Sequence, residues 1–158
     1  MRKKSKYVPR SIRVDTMSFV MAGVKPFNDV SAGLTLRILN HDAVNNLRVG
    51  TATKKDIDIL IGAFNILEAL MVMGMGKDWS GEILDGQDAL LALAKRGVTT
   101  QHFIARGPEL KAVNLAMDIH DAQLDQCTVQ DVEKAIDMVR ENIRHKRARA
   151  VVPTLNTP

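Results

Sequence analysis

The stretch Ile57–Met75 constrains this chain more than any other. It is the most apolar segment, yet Asp58, Asn65 and Glu68 interrupt it. A membrane-spanning helix avoids charges at those depths, so the stretch reads as a helix buried in a protein core. The rest of the composition says what can enclose it. Ten Gly and five Pro in 158 residues are too few for a turn-dense β-sandwich. A hydrophobic share of 46% and a charged share of 25% exclude a disordered or collagen-like chain. Aromatics are only 4%, so the core has to be built from Leu, Ile, Val, Ala and Met. Cys127 is the one cysteine, which excludes a disulfide framework and a cysteine-based zinc site. The expectation is an all-α bundle of about five to six helices in a reducing, cytoplasmic compartment, with no membrane span.

Capping and spacing signals place the helices. Asp15–Gly23 reads as a short helix, with Pro26 soon after it. Asp29–Arg48 follows, with Val30, Leu34, Ile38, His41 and Val44 predicted as its apolar face. Thr53 and Asp56 form a box-like start for a third helix, which ends near Met73 before Gly74 and Gly76. A fourth helix spans roughly Glu82–Arg96, with Gly97 as its expected stop. Val98–Ile104 admits an edge strand, a 3-10 turn or a tucked loop. Gly107-Pro108-Glu109 opens a fifth helix running to about Leu124, since proline at a first helical position loses no hydrogen bond. Thr128 and Asp131 start a sixth. Its seam of Val129, Val132, Ile136, Val139 and Ile143 is narrow. The short loop at 125–128 predicts that this seam folds back on Leu110–Leu124.

Two blocks look duplicated. His41-Asp42-Ala43 precedes Thr53-x-x-Asp56, and His120-Asp121-Ala122 precedes Thr128-x-x-Asp131. A repeated helical hairpin accounts for this, and so does the frequent use of Thr-x-x-Asp as capping chemistry.

Charge divides the chain into a basic-acidic-basic pattern. Residues 1–14 carry Arg2, Lys3, Lys4, Lys6, Arg10 and Arg13 and no acid. The other end carries Arg140, Arg144, Lys146, Arg147 and Arg149 against Glu141. Between them, residues 15–139 hold 11 basic and 17 acidic side chains. The expected organisation is a basic tail over 1–14, a helical domain over 15–145 and a basic, proline-containing tail over 146–158. Such ends suit a phosphate backbone, and they also suit plain solubilising tails. Tyr7 is the only aromatic in a basic segment, so nucleic-acid contact through these residues is expected to be phosphate-driven and indifferent to sequence.

Gly86-Gln87-Asp88-Ala89-Leu90, Gly107-Pro108-Glu109-Leu110 and His120-Asp121-Ala122-Gln123-Leu124-Asp125 with Thr128 resemble a small-protein family of bacteriophages and prophages of proteobacteria. The basic opening Arg2-Lys3-Lys4-Ser5-Lys6-Tyr7-Val8-Pro9-Arg10 is similar too. The resemblance implies a host-cytoplasm setting and transfers no catalytic residue.

Few residues suggest chemistry. His41, Glu68 and His120 are the main polar constellation, and two histidines with one carboxylate are in principle a metal-ligand set. The bundle di-iron pattern needs a Glu-x-x-His spacing that is missing. The competing reading is a pair of core histidines hydrogen-bonded to local partners. Cys127 precedes the Thr128 cap, where a helix N-terminus lowers a thiol pKa. The plainer reading of Cys127 is a small hydrophobe. Gly74-Met75-Gly76-Lys77 lacks the spacing and preceding strand of a phosphate loop. Met71, Met73 and Met75, near Trp79, suit either an adaptable docking surface or the filling of an irregular core end. The expectation is a non-enzymatic accessory or regulatory protein without a cofactor, which binds nucleic acid or a host or phage protein. A homodimer is left open. The alternative is a small helical metal enzyme using His41, Glu68 and His120.

Overall fold

Helix boundaries follow the capping chemistry closely. The computed structural model describes Phe27 and residues 31–145. Within them lie α1 (Ser31–Val49), α2 (Lys54–Val72), α3 (Ser80–Thr100), α4 (Gly107–Gln126) and α5 (Val129–Arg144), with a 3-10 turn at Lys77–Trp79. The expected helix at Asp15–Gly23 and the expected tails over 1–14 and 146–158 lie outside the described residues, whereas Arg140 and Arg144 of the C-terminal basic cluster are described. At the α2 start, the Asp56 carboxylate accepts hydrogen bonds from the Thr53 N–H at 2.7 Å and the Thr53 hydroxyl at 2.9 Å. Asp131 does the same for Thr128 at 2.9 and 2.8 Å. Glu109 closes the α4 start on the Arg106 N–H at 2.8 Å, one residue before Gly107-Pro108. These bonds satisfy N–H groups that a helix start leaves without partners.

The architecture is a helical bundle arranged around α2. That helix packs against α1, α3, α4 and α5, and α3 and α4 form the most extensive pair. The larger core joins the second half of α1, α2, α3 and α4 through residues such as Leu47, Leu60, Leu67, Ile83, Leu93 and Val113. A second cluster joins the end of α2 to α5 through Leu70, Leu124, Cys127, Val132 and Ala135. Phe27 is tied into this cluster, and its N–H donates to the Cys127 carbonyl at 2.9 Å. Gln123 fastens α4 to the turn after α2 by donating to the carbonyls of Leu67 at 3.2 Å and Met75 at 2.8 Å.

Three expectations are corrected. Gly97 does not end α3, which runs on to Thr100 and stops where Gln101 adopts the left-handed region at φ 62°. Gly97 is instead the seat of the Phe103 ring: a Cβ there would lie 2.1 Å from Phe103 Cδ1. The stretch 98–104 is accordingly helix end and tucked loop, with a single antiparallel bridge between Ala52 and Phe103. The apolar face of α1 is also different. Leu34 and Ile38 are 61% and 60% exposed, whereas Asn40, Ala43, Val44 and Leu47 are buried. Aliphatic residues occur on more than one side of α1, so spacing alone admits several stripes. Finally, α5 rests on α2 and has no comparable packing against α4. Its seam is buried at Val132, partly covered at Ile136 and Val139, and 57% exposed at Ile143.

Candidate docking groove

α3 and α5 both pack on α2 with no comparably extensive contact with each other, and a strip of α2 lines a groove between them. Ile61, Asn65, Glu68 and Val72 lie along this strip at spacings of four, three and four, which is one face of a helix. The open space is a groove of about 200 Å³. Gln87 and Leu91 of α3 form one wall, and Met138, Val139, Asn142 and Ile143 of α5 form the other. Val72 of α2 and Ile143 of α5, both in the lining, are 58% and 57% exposed. Glu68 is the floor's carboxylate, and its Oε2 accepts from the Gln87 side-chain amide at 3.0 Å. Asp88 of α3 also lines the groove, and among the described residues no lysine or arginine does.

The structure does not bring His41, Glu68 and His120 together. His41 is exposed on α1 and meets Asp121 of α4, with 2.7 Å between Nε2 and Oδ2. Arg37 joins that patch, donating to the Asp121 carbonyl at 2.7 Å and to the Asp125 carboxylate at 2.8 Å. Glu68 lies in the groove. His120 is fully buried, with Nδ1 placed 3.4 Å from the Gln123 side-chain oxygen and no partner for Nε2. Burial holds the His120 pKa below its ordinary value, against the opposing effects of Gln123 and Asp121. Among the described residues, no group of three or more His, Cys, Asp or Glu side chains is placed to hold a metal ion. The core-histidine reading therefore fits His120, while His41 belongs to a surface ion-pair patch.

Cys127 is buried, and its pKa is pushed up to about 11 by that burial, with Asp131 adding in the same direction. This is the opposite of an activated thiol. Its Sγ lies 3.3 Å from Met75 Sδ, so Cys127 and Met75 fill the core end together. Trp79 is half-exposed and not part of that packing. Gly74 and Gly76 make the turn that ends α2, with Gln123 holding the Met75 carbonyl between them. Of the basic residues expected to meet nucleic acid, Arg144 is exposed at the α5 end and pairs with Glu141. Arg2, Lys3, Lys4, Lys6, Arg10, Arg13, Lys146, Arg147 and Arg149 lie outside the described residues. No helix among the described residues is long and apolar enough to cross a membrane. The chain matches no family model, no curated protein and no solved structure.

The groove was missed from the sequence, though a signal for it was present. Asp58, Ile61, Asn65 and Glu68 share one stripe of α2, and three of the four line the groove. Polar residues recurring on one face of an otherwise buried helix mark the side its neighbours leave open.

Proposed function

We propose that this chain is a non-enzymatic accessory protein that works by binding another protein in the groove between α3 and α5. One observation carries the reading. The central helix keeps one face only partly covered, with its own Val72 and Ile143 of α5 each more than half exposed in the groove lining. Aliphatic surface left open at the rim of a groove lowers its free energy when a partner covers it, by roughly 25 cal/mol per Å² buried. The dispersed positions of His41, Glu68 and His120 count against the metal-enzyme alternative. The family resemblance suggests a phage- or prophage-borne protein acting in host cytoplasm.

A photo-crosslinking residue placed at position 72 of the full chain tests this in cells, with position 111 as a remote control. Discrete protein adducts from position 72, absent from position 111 and lost with Ile143→Asp, are expected. Identical adduct patterns from both positions would refute the groove as the docking surface.

A second reading rests on charge. Ten of the 22 basic residues but only two of the 18 acidic ones fall outside the described residues. Phosphate-driven binding of nucleic acid through those ends predicts an affinity for duplex DNA that falls steeply with salt. Replacing the six basic residues of 1–14 by Gln in the full chain is expected to flatten that dependence. An unchanged salt slope rejects the reading.

A further inference from the structure

We infer that the occupant of the groove is an amphipathic helix about three turns long whose polar edge is basic, a conclusion that rests on the groove being a protein-docking surface. Shape comes first. The floor runs from Ile61 to Val72 along α2, which at 1.5 Å per residue is about 16 Å. A helix of 11 or 12 residues spans the same length. An extended segment is a poor fit, because the lining offers mainly side chains and no sheet edge. Its N–H and C=O groups would lie against Ile61, Val72 and Ile143 without partners. A helix satisfies those groups internally and presents only its side chains. The exposed aliphatic residues at the rim ask for apolar anchors at helical spacing, the usual grammar of a helix in a groove.

Charge then selects among amphipathic helices. Glu68 sits in the floor and is met by the neutral Gln87 amide, and among the described residues no cation pairs with it. An acidic helix laid there meets like charge as it loses water. A lysine or arginine flanking the apolar anchors meets Glu68 at close range, where covering the groove strengthens the attraction.

A library of randomised 12-residue helices, displayed on a rigid helical scaffold and selected against the full chain, tests the inference. Enriched sequences are expected to carry apolar residues at i, i+3 or i+4, and i+7, with Lys or Arg beside them. The best binder, measured by fluorescence anisotropy, is expected to lose at least tenfold in affinity with Val72→Asp and with Glu68→Lys. Raised salt is expected to shrink the Glu68→Lys effect. Binders that need Val72 but are neutral or acidic, and that ignore Glu68→Lys, would overturn the basic edge while leaving the groove as a docking surface. Binders indifferent to both Val72→Asp and Ile143→Asp, or no enrichment at all, would overturn the docking surface itself. Concentration-dependent self-association abolished by Val72→Asp would make a second copy the occupant and overturn the inference. Circular dichroism checks that Val72→Asp keeps its helices. If it does not, Glu68→Lys at its exposed position carries the test.

Discussion

The α3–α4 pair and the α2–α5 contact join helices in opposite ways. In the first, Gly86 lets the two helices approach until a Cβ at that position would lie 2.6 Å from the Ala116 Cβ and 3.0 Å from the Phe64 ring. Farther along, Gly97 receives the Phe103 ring, and Arg96 locks onto Glu109 through two parallel bonds of 2.7 and 2.6 Å. At these glycines the contact has no room for a larger side chain. In the second, α5 packs toward α2 through Val132, Ala135, Ile136 and Val139, while Ile143 near its end remains mostly exposed. Close packing fixes a fold, whereas a one-sided contact leaves a face that something else can use.

The largest expected effect breaks the tight pair. Gly86→Leu inserts four carbon atoms against Ala116, whose Cβ has no rotamer to give, and against the Ala112 carbonyl only 3.2 Å away. Overpacking of this kind costs typically 1–3 kcal/mol, so a loss of about 3 kcal/mol is expected in urea titration despite the better helix propensity of leucine. A stability within about 0.5 kcal/mol of the parent would show that α3 and α4 are not held at this distance.

Next comes the looser contact. Ile136→Asp removes a partly covered aliphatic residue from the second cluster and places a charge against its apolar surface. The expected cost is about 2 kcal/mol, taken by the monomer itself because the neighbour is the chain's own α2. Thermal melting with light scattering decides it. A fully stable variant of altered mass would make this seam an interface between copies.

The Arg96–Glu109 lock sharpens the comparison through pH. The hydrogen bonds from Arg96 hold the Glu109 carboxyl below the usual carboxylate range, outweighing its burial. A depressed carboxylate adds stability that is complete above the unfolded pKa and is lost as pH falls through the folded value, hence below about pH 4. Glu109→Gln is expected to cost about 1–2 kcal/mol at neutral pH and to flatten the acid limb of the stability curve. His120, on the same helix, adds a separate limb at higher pH. Burial lowers its pKa, so the unfolded chain takes up a proton near pH 6.5 that the folded chain refuses. Stability therefore falls as pH drops from 7 toward 5, and His120→Leu is expected to remove that slope. A wild-type stability that is flat over this interval would contradict the buried, neutral histidine.

Local chemistry was far more legible in the sequence than neighbour choice. Thr53 with Asp56, Thr128 with Asp131, and Gly107-Pro108-Glu109 each act within one turn of chain, and each starts a helix where expected. The duplicated blocks show where that legibility stops. Their caps match, yet His41 is exposed on Asp121 while His120 is buried, and α1 packs on α2 whereas α4 does not pack comparably on α5. Capping depends on the next three residues, but burial depends on elements far away in sequence. Gly97 was misread for the same reason, since what it accommodates is a ring that arrives after the helix has ended. Asn40, buried with both amide atoms unpartnered, was also beyond reach of a pattern that expects aliphatic residues inside. The groove needed two such long-range facts together, namely that α3 and α5 choose the same neighbour and that neither packs on the other as extensively as on α2.

The smallest expected effect tests the open end of the comparison directly. Ile143 belongs to the same aliphatic seam as Ile136, one face of one helix, but lies beyond the reach of α2's close contact. If the seam existed for stability alone, both positions would be costly to change. At 57% exposure, Ile143→Asp removes little buried area and is expected to shift stability by no more than about 0.5 kcal/mol. The same substitution is expected to abolish the protein adducts formed from position 72. Stability unchanged and docking lost would separate the two halves of α5 into one that holds the fold and one that is kept for a partner. A destabilisation matching that of Ile136→Asp would instead make the whole seam structural and leave the groove without a free wall.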